Sequence, residues 1–143
     1  MTIKIICFES VDGCGKSSII KAVNKKLKYK YICIDRFLGS SFCYNRHNES
    51  EILQADSDLA NISSKNAKFY LIYLFCSDRK ELIKRLREKK DDDKIKNIDR
   101  NIKRYEDYLE KTYLDFITID TSKNNIDKCV KKIIKFVEKD NYE

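Results

Sequence analysis

Residues 3–8 form an almost unbroken apolar run, and Gly13, Gly15, Lys16, Ser17 and Ser18 follow it at the entrance to an amphipathic stretch. The chain has only three glycines, so placing two of them here constrains the local fold more than any other feature of the sequence. A strand that ends in a glycine-bearing turn and feeds a helix leaves several backbone N–H groups facing one concavity, backed by the positive end of the helix dipole. Polyphosphate fits such a concavity. In the pattern G-x-x-x-x-G-K-[ST] the lysine reaches the β and γ phosphates and the next hydroxyl holds Mg²⁺. Gly15, Lys16 and Ser17 occupy the last three places, but the first glycine falls on Ser10. Serine fits there if its φ is negative, since only glycine takes left-handed conformations freely. The plainer alternative is a strand-turn-helix corner with a capping serine, which does not require strand, glycines, Lys-Ser and helix in this order.

Four short apolar runs alternate with helical patterns, the signature of a parallel sheet flanked by helices. The expected strands are 3–8, 29–34, 69–75 and 116–119. A helix over 16–28 carries Ile19, Ile20, Val23 and Leu27 on one stripe, and another starts at Asp78, an N-cap residue, to bury Leu82, Ile83 and Leu86. A third, 95–113, repeats Ile95, Ile98, Ile102, Tyr105 and Leu109. The last, 126–137, uses Ile126, Val130, Ile133, Ile134 and Val137. These stripes read as core. The fold class is therefore α/β, a three-layer sandwich on about four parallel strands, with one domain over 1–143. Residues 36–68 show a weaker helical pattern at Ile52, Ala55, Leu59 and Ile62, and 89–94 form a charged hinge within a region, 87–104, that reads as a lid. Both segments follow the carboxyl ends of strands, where open α/β sheets place ligands. A cover over a substrate and a mobile lid are the functional readings; solvated connections are the alternative.

Thirty Lys and Arg against 23 Asp and Glu give a net charge of +7, which favours anionic ligands. Nucleotides qualify before nucleic acids, because the lysines scatter over several helix faces instead of forming one block. The six cysteines contain no C-x-x-C pair and are accompanied by a single histidine, so zinc is not expected. Cys7, Cys33 and Cys76 lie in or beside apolar runs, where a free thiol acts as a small hydrophobe in a reducing compartment. Cys14 sits beside Lys16 and a helix N-terminus, a setting that can lower a thiol pKa, so a reactive thiol is one reading and a tolerated loop residue the other. No charged leader precedes a long apolar stretch and no apolar run approaches 18 residues, so a cytoplasmic protein without a membrane segment is expected.

A right-handed βαβ unit can set the second strand beside the first, which would bring Asp35-Arg36-Phe37 next to the bound phosphates. An aspartate there can hold Mg²⁺ through water or accept a substrate proton, and an arginine can grip a phosphate at two points. Elsewhere such a dipeptide is usually a surface ion pair; at a strand end after a phosphate loop it reads as function.

With these residues in view, the chain resembles the thymidylate kinase family of P-loop nucleotide kinases. Residues 8–18, FESVDGCGKSS, are similar to that family's F-E-G-x-D-G-x-G-K-[ST]-[ST] signature except at Ser10. Asp35-Arg36-Phe37 with Ser40, Ser41 and Tyr44 resembles its D-R-[YF] motif with trailing serine and tyrosine. The run from Tyr70 to Phe75 with Asp78, Leu82, Arg85, Leu86 and Arg87 resembles the next strand and the arginine-bearing helix before the lid. Tyr105, Tyr108 and the stretch Ile119-Asp120-Thr121-Ser122 also have counterparts, the last near the base of ATP. The resemblance runs nearly end to end, and its first two motifs are the specific ones.

The resemblance implies phosphoryl transfer from MgATP to a nucleoside monophosphate, with dTMP the leading acceptor. ATP would be bound by Asp12, Gly13, Cys14, Gly15, Lys16, Ser17, Ser18 and Thr121, with Ser17 and Asp35 toward Mg²⁺. Asp12 would touch the acceptor sugar, Arg36 its phosphate, and Phe37, Phe42 and Tyr44 would complete the acceptor side, with Arg46 and His47 nearby; His47 reads as an exposed loop imidazole. Lys16, Asp35 and Arg36 would be catalytic together with a lid arginine, for which Arg85 and Arg87 lead and Arg100 and Arg104 follow. The family carries a further strand and helix between the phosphate-loop helix and D-R, with acceptor-binding arginines, and this chain lacks them. The base-reading residues therefore cannot be carried over. A deoxynucleoside kinase, a polynucleotide 5′-end kinase and a nucleotide-binding regulator without transferase activity are the competing readings; a regulatory GTPase lacks its N-K-x-D, since residues 24–27 end in Leu27. Related kinases are often homodimers, and no stripe here exceeds what the core needs.

Overall fold

The computed structural model describes residues 3–62 and 66–142. Four strands, β1 (Ile3–Glu9), β2 (Ile32–Asp35), β3 (Ala67–Phe75) and β4 (Asp115–Asp120), form one sheet in the order β2-β1-β3-β4 with every pair parallel. The helices between and after them are α1 (Lys16–Leu27), α2 (Leu38–Cys43), α3 (Glu49–Ile62), α4 (Arg79–Glu88), α5 (Asp92–Lys96), α6 (Ile98–Lys111) and α7 (Ile126–Val137), followed by a 3₁₀ turn at Lys139–Tyr142.

Strand alternation explains the layers. Side chains two apart share a face, so Ile6, Phe8, Tyr70, Ile72 and Leu74 pack with Ile19 and Val23 of α1 and with Val130 and Ile133 of α7. The opposite face sends Cys7 and Leu71 to Phe42 of α2, Ile52 of α3 and Tyr108 of α6. The result is the expected P-loop sandwich: helices, a four-stranded parallel sheet, helices. The central strands β1 and β3 are covered on both faces, which is why they read as continuous apolar runs. Fully buried Ile6, Phe8, Ile72 and Leu74 each contribute about 2 kcal/mol of apolar burial. Among the described residues no helix is long and apolar enough to cross a membrane.

Several expected elements shift. The second strand begins at Ile32, not at position 29, because Lys28 and Tyr29 both take left-handed backbone (φ 53° and 57°) to close α1, with the Tyr29 N–H donating to the Asn24 carbonyl at 2.9 Å. The helix expected over 95–113 is two helices. Asn97 ends α5 and caps α6, and the Asp91 carboxylate accepts the Lys94 N–H at the start of α5. Segment 36–68 holds α2 and α3, and its residues 63–65 lie outside the described part. Inside α3 the buried carboxylate of Asp56 accepts from the Tyr108 hydroxyl at 2.6 Å, the Thr112 hydroxyl at 2.7 Å and the Tyr113 N–H at 2.7 Å, tying α3 to the end of α6. In α7, Cys129 and Phe136 complete the core stripe and Ile126 leaves it, 47% exposed.

Candidate functional site

Parallel pairing brings the two informative motifs together. Phe8 is in register with Asp35, and the Arg36 N–H donates to the Phe8 carbonyl at 3.0 Å, so the second strand ends beside the start of the phosphate loop. Gly15, at φ 78°, is the N-cap of α1 and supplies the left-handed turn that a side chain would strain. No side chain caps this helix, and its first turn carries no acidic residue. Its first N–H groups and the positive end of its dipole are thereby left to an anion.

Two cavities flank the loop. One, of about 240 Å³, is lined by Ser10, Asp12, Lys16, Ser17, Asp35 and Arg36 together with the loop glycines. The other, of about 760 Å³, lies between the loop, α4 and the start of α7, and its walls include Arg85, Thr121, Asn124 and the exposed face of Ile126. Lys89, at the end of α4, lines both. The first has the size and charge for phosphates, the second the size and mixed polarity for a base and sugar.

Inside the smaller cavity the charged groups pair with one another. Lys16, almost wholly buried, is ion-paired with Asp35, whose carboxylate is half exposed. Arg36, at φ 68°, is ion-paired with Asp12, whose other carboxylate oxygen is 3.3 Å from the Lys94 ammonium. Lys94 also stands 4.4 Å from the centre of the Tyr44 ring, with the Arg46 guanidinium at 5.8 Å, so this half-exposed ring gathers cations. Arg36 with its neighbouring cations and Lys16 with the loop amides thus face one cavity from two sides.

The remaining expected residues divide clearly. Gly13, Cys14, Gly15, Ser18 and Thr121 line the larger cavity, and Thr121 is fixed there by its N–H, 2.7 Å from the Phe75 carbonyl. Of the lid arginines, Arg85 reaches the loop, donating to the Gly13 carbonyl at 3.1 Å while paired with Glu81. Arg87 is exposed and lines neither cavity. Arg100 bonds to Asn101, and Arg104 to the Phe42 carbonyl and Asn45. Phe37 is half-buried and His47 exposed.

Burial overturns the expectation for Phe42 and decides between the two readings of Cys14. Phe42, expected on the acceptor, is 1% exposed, with Tyr108 and the Arg104 guanidinium against its ring, so no face is left for a base. Its neighbour Tyr44 is partly buried, with its ring edge-on to Tyr105 and its hydroxyl enclosed. Cys14 is not an activated thiol: burial outweighs the nearby Arg85 and pushes its pKa up to about 12.

One buried carboxylate, to which the sequence assigns no role, anchors the residues that follow Arg36. Glu9, at the end of β1 and 1% exposed, accepts the Phe37 N–H at 3.1 Å, the Ser40 N–H at 2.8 Å and the Ser40 hydroxyl at 2.7 Å. A Cβ on Gly39 would lie 2.5 Å from the Glu9 Oε2, so glycine is what lets α2 approach this carboxylate. Its signal in the sequence is the glutamate of the loop signature, at the end of an apolar strand. Lys89 and Lys94 carried no signal within a lysine-rich chain.

A Mg²⁺ ion suits the donor set. The hydroxyl of Ser17 and the carboxylate of Asp35 line the same cavity. Magnesium takes few protein oxygens and fills its octahedron with water and substrate phosphate, so a hydroxyl and one carboxylate are the usual protein share.

No family model matches this chain, and no curated protein matches it. Among solved structures it is similar to the YorR protein from Bacillus subtilis, whose structure was determined in complex with phosphorylated GDP. The two share 24% identity and a TM-score of 0.75, over 97% of this chain and 98% of that chain. That likeness, nearly end to end, establishes the fold: a P-loop α/β sandwich on a four-stranded parallel sheet.

Proposed function

We propose that the chain is an ATP-dependent nucleotide kinase similar to thymidylate kinases, transferring a phosphoryl group to a nucleoside monophosphate, with dTMP the first acceptor to test. The observation that carries the reading is that one cavity is walled both by the phosphate loop with Lys16 and by Asp35-Arg36 from the neighbouring strand. A site that only bound a nucleotide would not need the second anion position. The nucleotide held by the similar solved structure supports a nucleotide here.

In this reading the base and sugar of ATP enter the larger cavity beside Thr121 and Ile126, and the phosphates lie along the loop. The γ-phosphate takes the place of Asp35 as the partner of Lys16, which frees the Asp35 carboxylate. Ser17 and Asp35 would hold Mg²⁺, which would supply charge neutralisation. The acceptor phosphate takes the place of Asp12 as the partner of Arg36, leaving Asp12 to the acceptor sugar and Tyr44 to its base. An acceptor phosphate oxygen then bonds to the γ-phosphorus as the bond to the β,γ-bridging oxygen breaks, giving ADP and a nucleoside diphosphate. Lys16, Arg85 and Lys89 offset charge on the transferring group, a largely electrostatic form of catalysis. Segment 36–68 covers the acceptor side, and 87–104 acts as the lid that carries Lys89 and Lys94.

The test is a panel of nucleosides, nucleoside monophosphates and 5′-hydroxyl oligonucleotides incubated with γ-labelled MgATP. Label on a monophosphate supports the reading. Label on a nucleoside makes Asp35 a general base, and label on an oligonucleotide end makes the chain a polynucleotide kinase. If nothing is labelled while ATP binds, the chain is a nucleotide-binding regulator.

A further inference from the structure

Ser10 stands where the phosphate-loop pattern has its first glycine, and the structure gives that departure a use. Its backbone φ is not positive, so the position does not demand glycine. Ser10 is 1% exposed and is among the residues that line the 240 Å³ cavity with Lys16, Asp35 and Arg36. Its hydroxyl has no hydrogen-bond partner among the described residues. The nearby carboxylates are engaged elsewhere: Asp35 with Lys16, Asp12 with Arg36 and Lys94. A buried hydroxyl left without a partner is costly and rare in folded proteins, and here it sits at the wall of an anion cavity. Ser10 lines the smaller cavity and not the larger one.

We propose that the Ser10 hydroxyl is a ligand-binding donor, giving its hydrogen bond to a phosphate oxygen of the bound polyphosphate between Lys16 and Arg36. The inference rests on the reading of this cavity as a phosphate site and assigns a role to the residue at which the chain departs from the loop pattern. A hydroxyl adds one directed donor where the usual glycine offers only its backbone. Because the oxygen it meets is charged, the bond belongs to the stronger class.

The test uses the full chain and the variants Ser10→Ala and Ser10→Gly, with affinity for MgATP and for inorganic tripolyphosphate measured by calorimetry and ligand-free unfolding followed in parallel. Both variants are expected to bind each probe about tenfold more weakly or worse, the loss expected for a hydrogen bond to a charged group. Ser10→Ala is expected to leave the ligand-free unfolding midpoint unchanged or raised, since it removes an unpaired buried hydroxyl. Ser10→Gly guards against a misfolded alanine variant, because glycine is the residue that the loop pattern itself carries. Affinities within twofold of wild type in both variants would overturn the inference and leave the kinase reading standing. A lowered midpoint in Ser10→Ala with unchanged affinity would overturn it too, placing the hydroxyl's partner inside the protein. Weakened tripolyphosphate binding without phosphoryl transfer to any acceptor would remove the transferase reading and uphold the role of Ser10. A wild-type chain that binds neither probe would overturn both.

Discussion

Glu9 is the residue through which the strand end, the second anion site and α2 depend on one another, and its removal has a calculable cost. In Glu9→Ala the N–H groups of Phe37 and Ser40 lose their acceptor inside the protein. Each buried donor left unpaired costs about 1–3 kcal/mol, which places the loss at about 3–5 kcal/mol after local relaxation. At about 3 °C per kcal/mol for a chain of this length, the melting temperature falls by roughly 10 °C. Glu9→Gln should behave differently. Its amide can turn so that the carbonyl meets both N–H groups while the NH₂ faces the Ser40 and Tyr105 hydroxyls, which can accept. Only the charge assistance is lost, about 1 kcal/mol, and relief of a buried charge offsets part of it. Urea unfolding followed by circular dichroism measures both variants at unchanged m-value. Acceptor KM should rise more in the alanine variant, because Arg36 precedes the residues that Glu9 pins. A destabilisation below about 1 kcal/mol in Glu9→Ala, or equal losses in the two variants, would refute the clamp.

Phe42→Ala should cost about 3–5 kcal/mol as a core truncation, whereas Tyr44→Ala, at a partly buried ring packed on Tyr105, should cost less and weaken acceptor binding; denaturant titration beside acceptor KM separates the two. Cys14, buried and with its thiol pushed up to about 12, should resist iodoacetamide at neutral pH with or without ATP, and become labelled only on unfolding, as peptide mass spectrometry can read. At Asp120, burial opposes ionisation, yet hydrogen bonds from Ser122 and Ser77 prevail and hold its pKa at about 2. A depressed folded value gives stability that is present above the unfolded carboxylate value of about 3.9 and lost as pH falls from there through about 2. Asp120→Asn should flatten that part of the acid-unfolding curve.

The parallel sheet was legible because its central strands are buried on both faces and therefore read as uninterrupted apolar runs. The phosphate loop was legible because glycine, lysine and hydroxyl must stand in one order to serve one chemistry. Boundaries failed where the backbone departs from a local preference. The left-handed pair Lys28 and Tyr29 delays β2, and neither residue type announces that conformation. The break at Asn97 falls within an apolar repeat that continues in phase from Ile95 to Ile98. In α3 the periodicity looked weak because Asp56, a charged residue, occupies the buried face, with partners that arrive from more than fifty positions later. The same distance effect hid the side-chain geometry of the site. That Phe42 is wholly enclosed while Tyr44 is only partly buried depends on where α6 packs, and no local pattern reports it.

Phosphoryl transfer is the activity that this site is proposed to perform. With γ-labelled MgATP and nucleoside monophosphates as acceptors, wild-type protein should move label onto a monophosphate, dTMP first among those tested. Lys16→Ala should reduce the rate by about a hundredfold or more, the scale of losing one preorganised charge at the transferring group. Label that reaches no monophosphate although ATP binds, or transfer by Lys16→Ala at the wild-type rate, would contradict it.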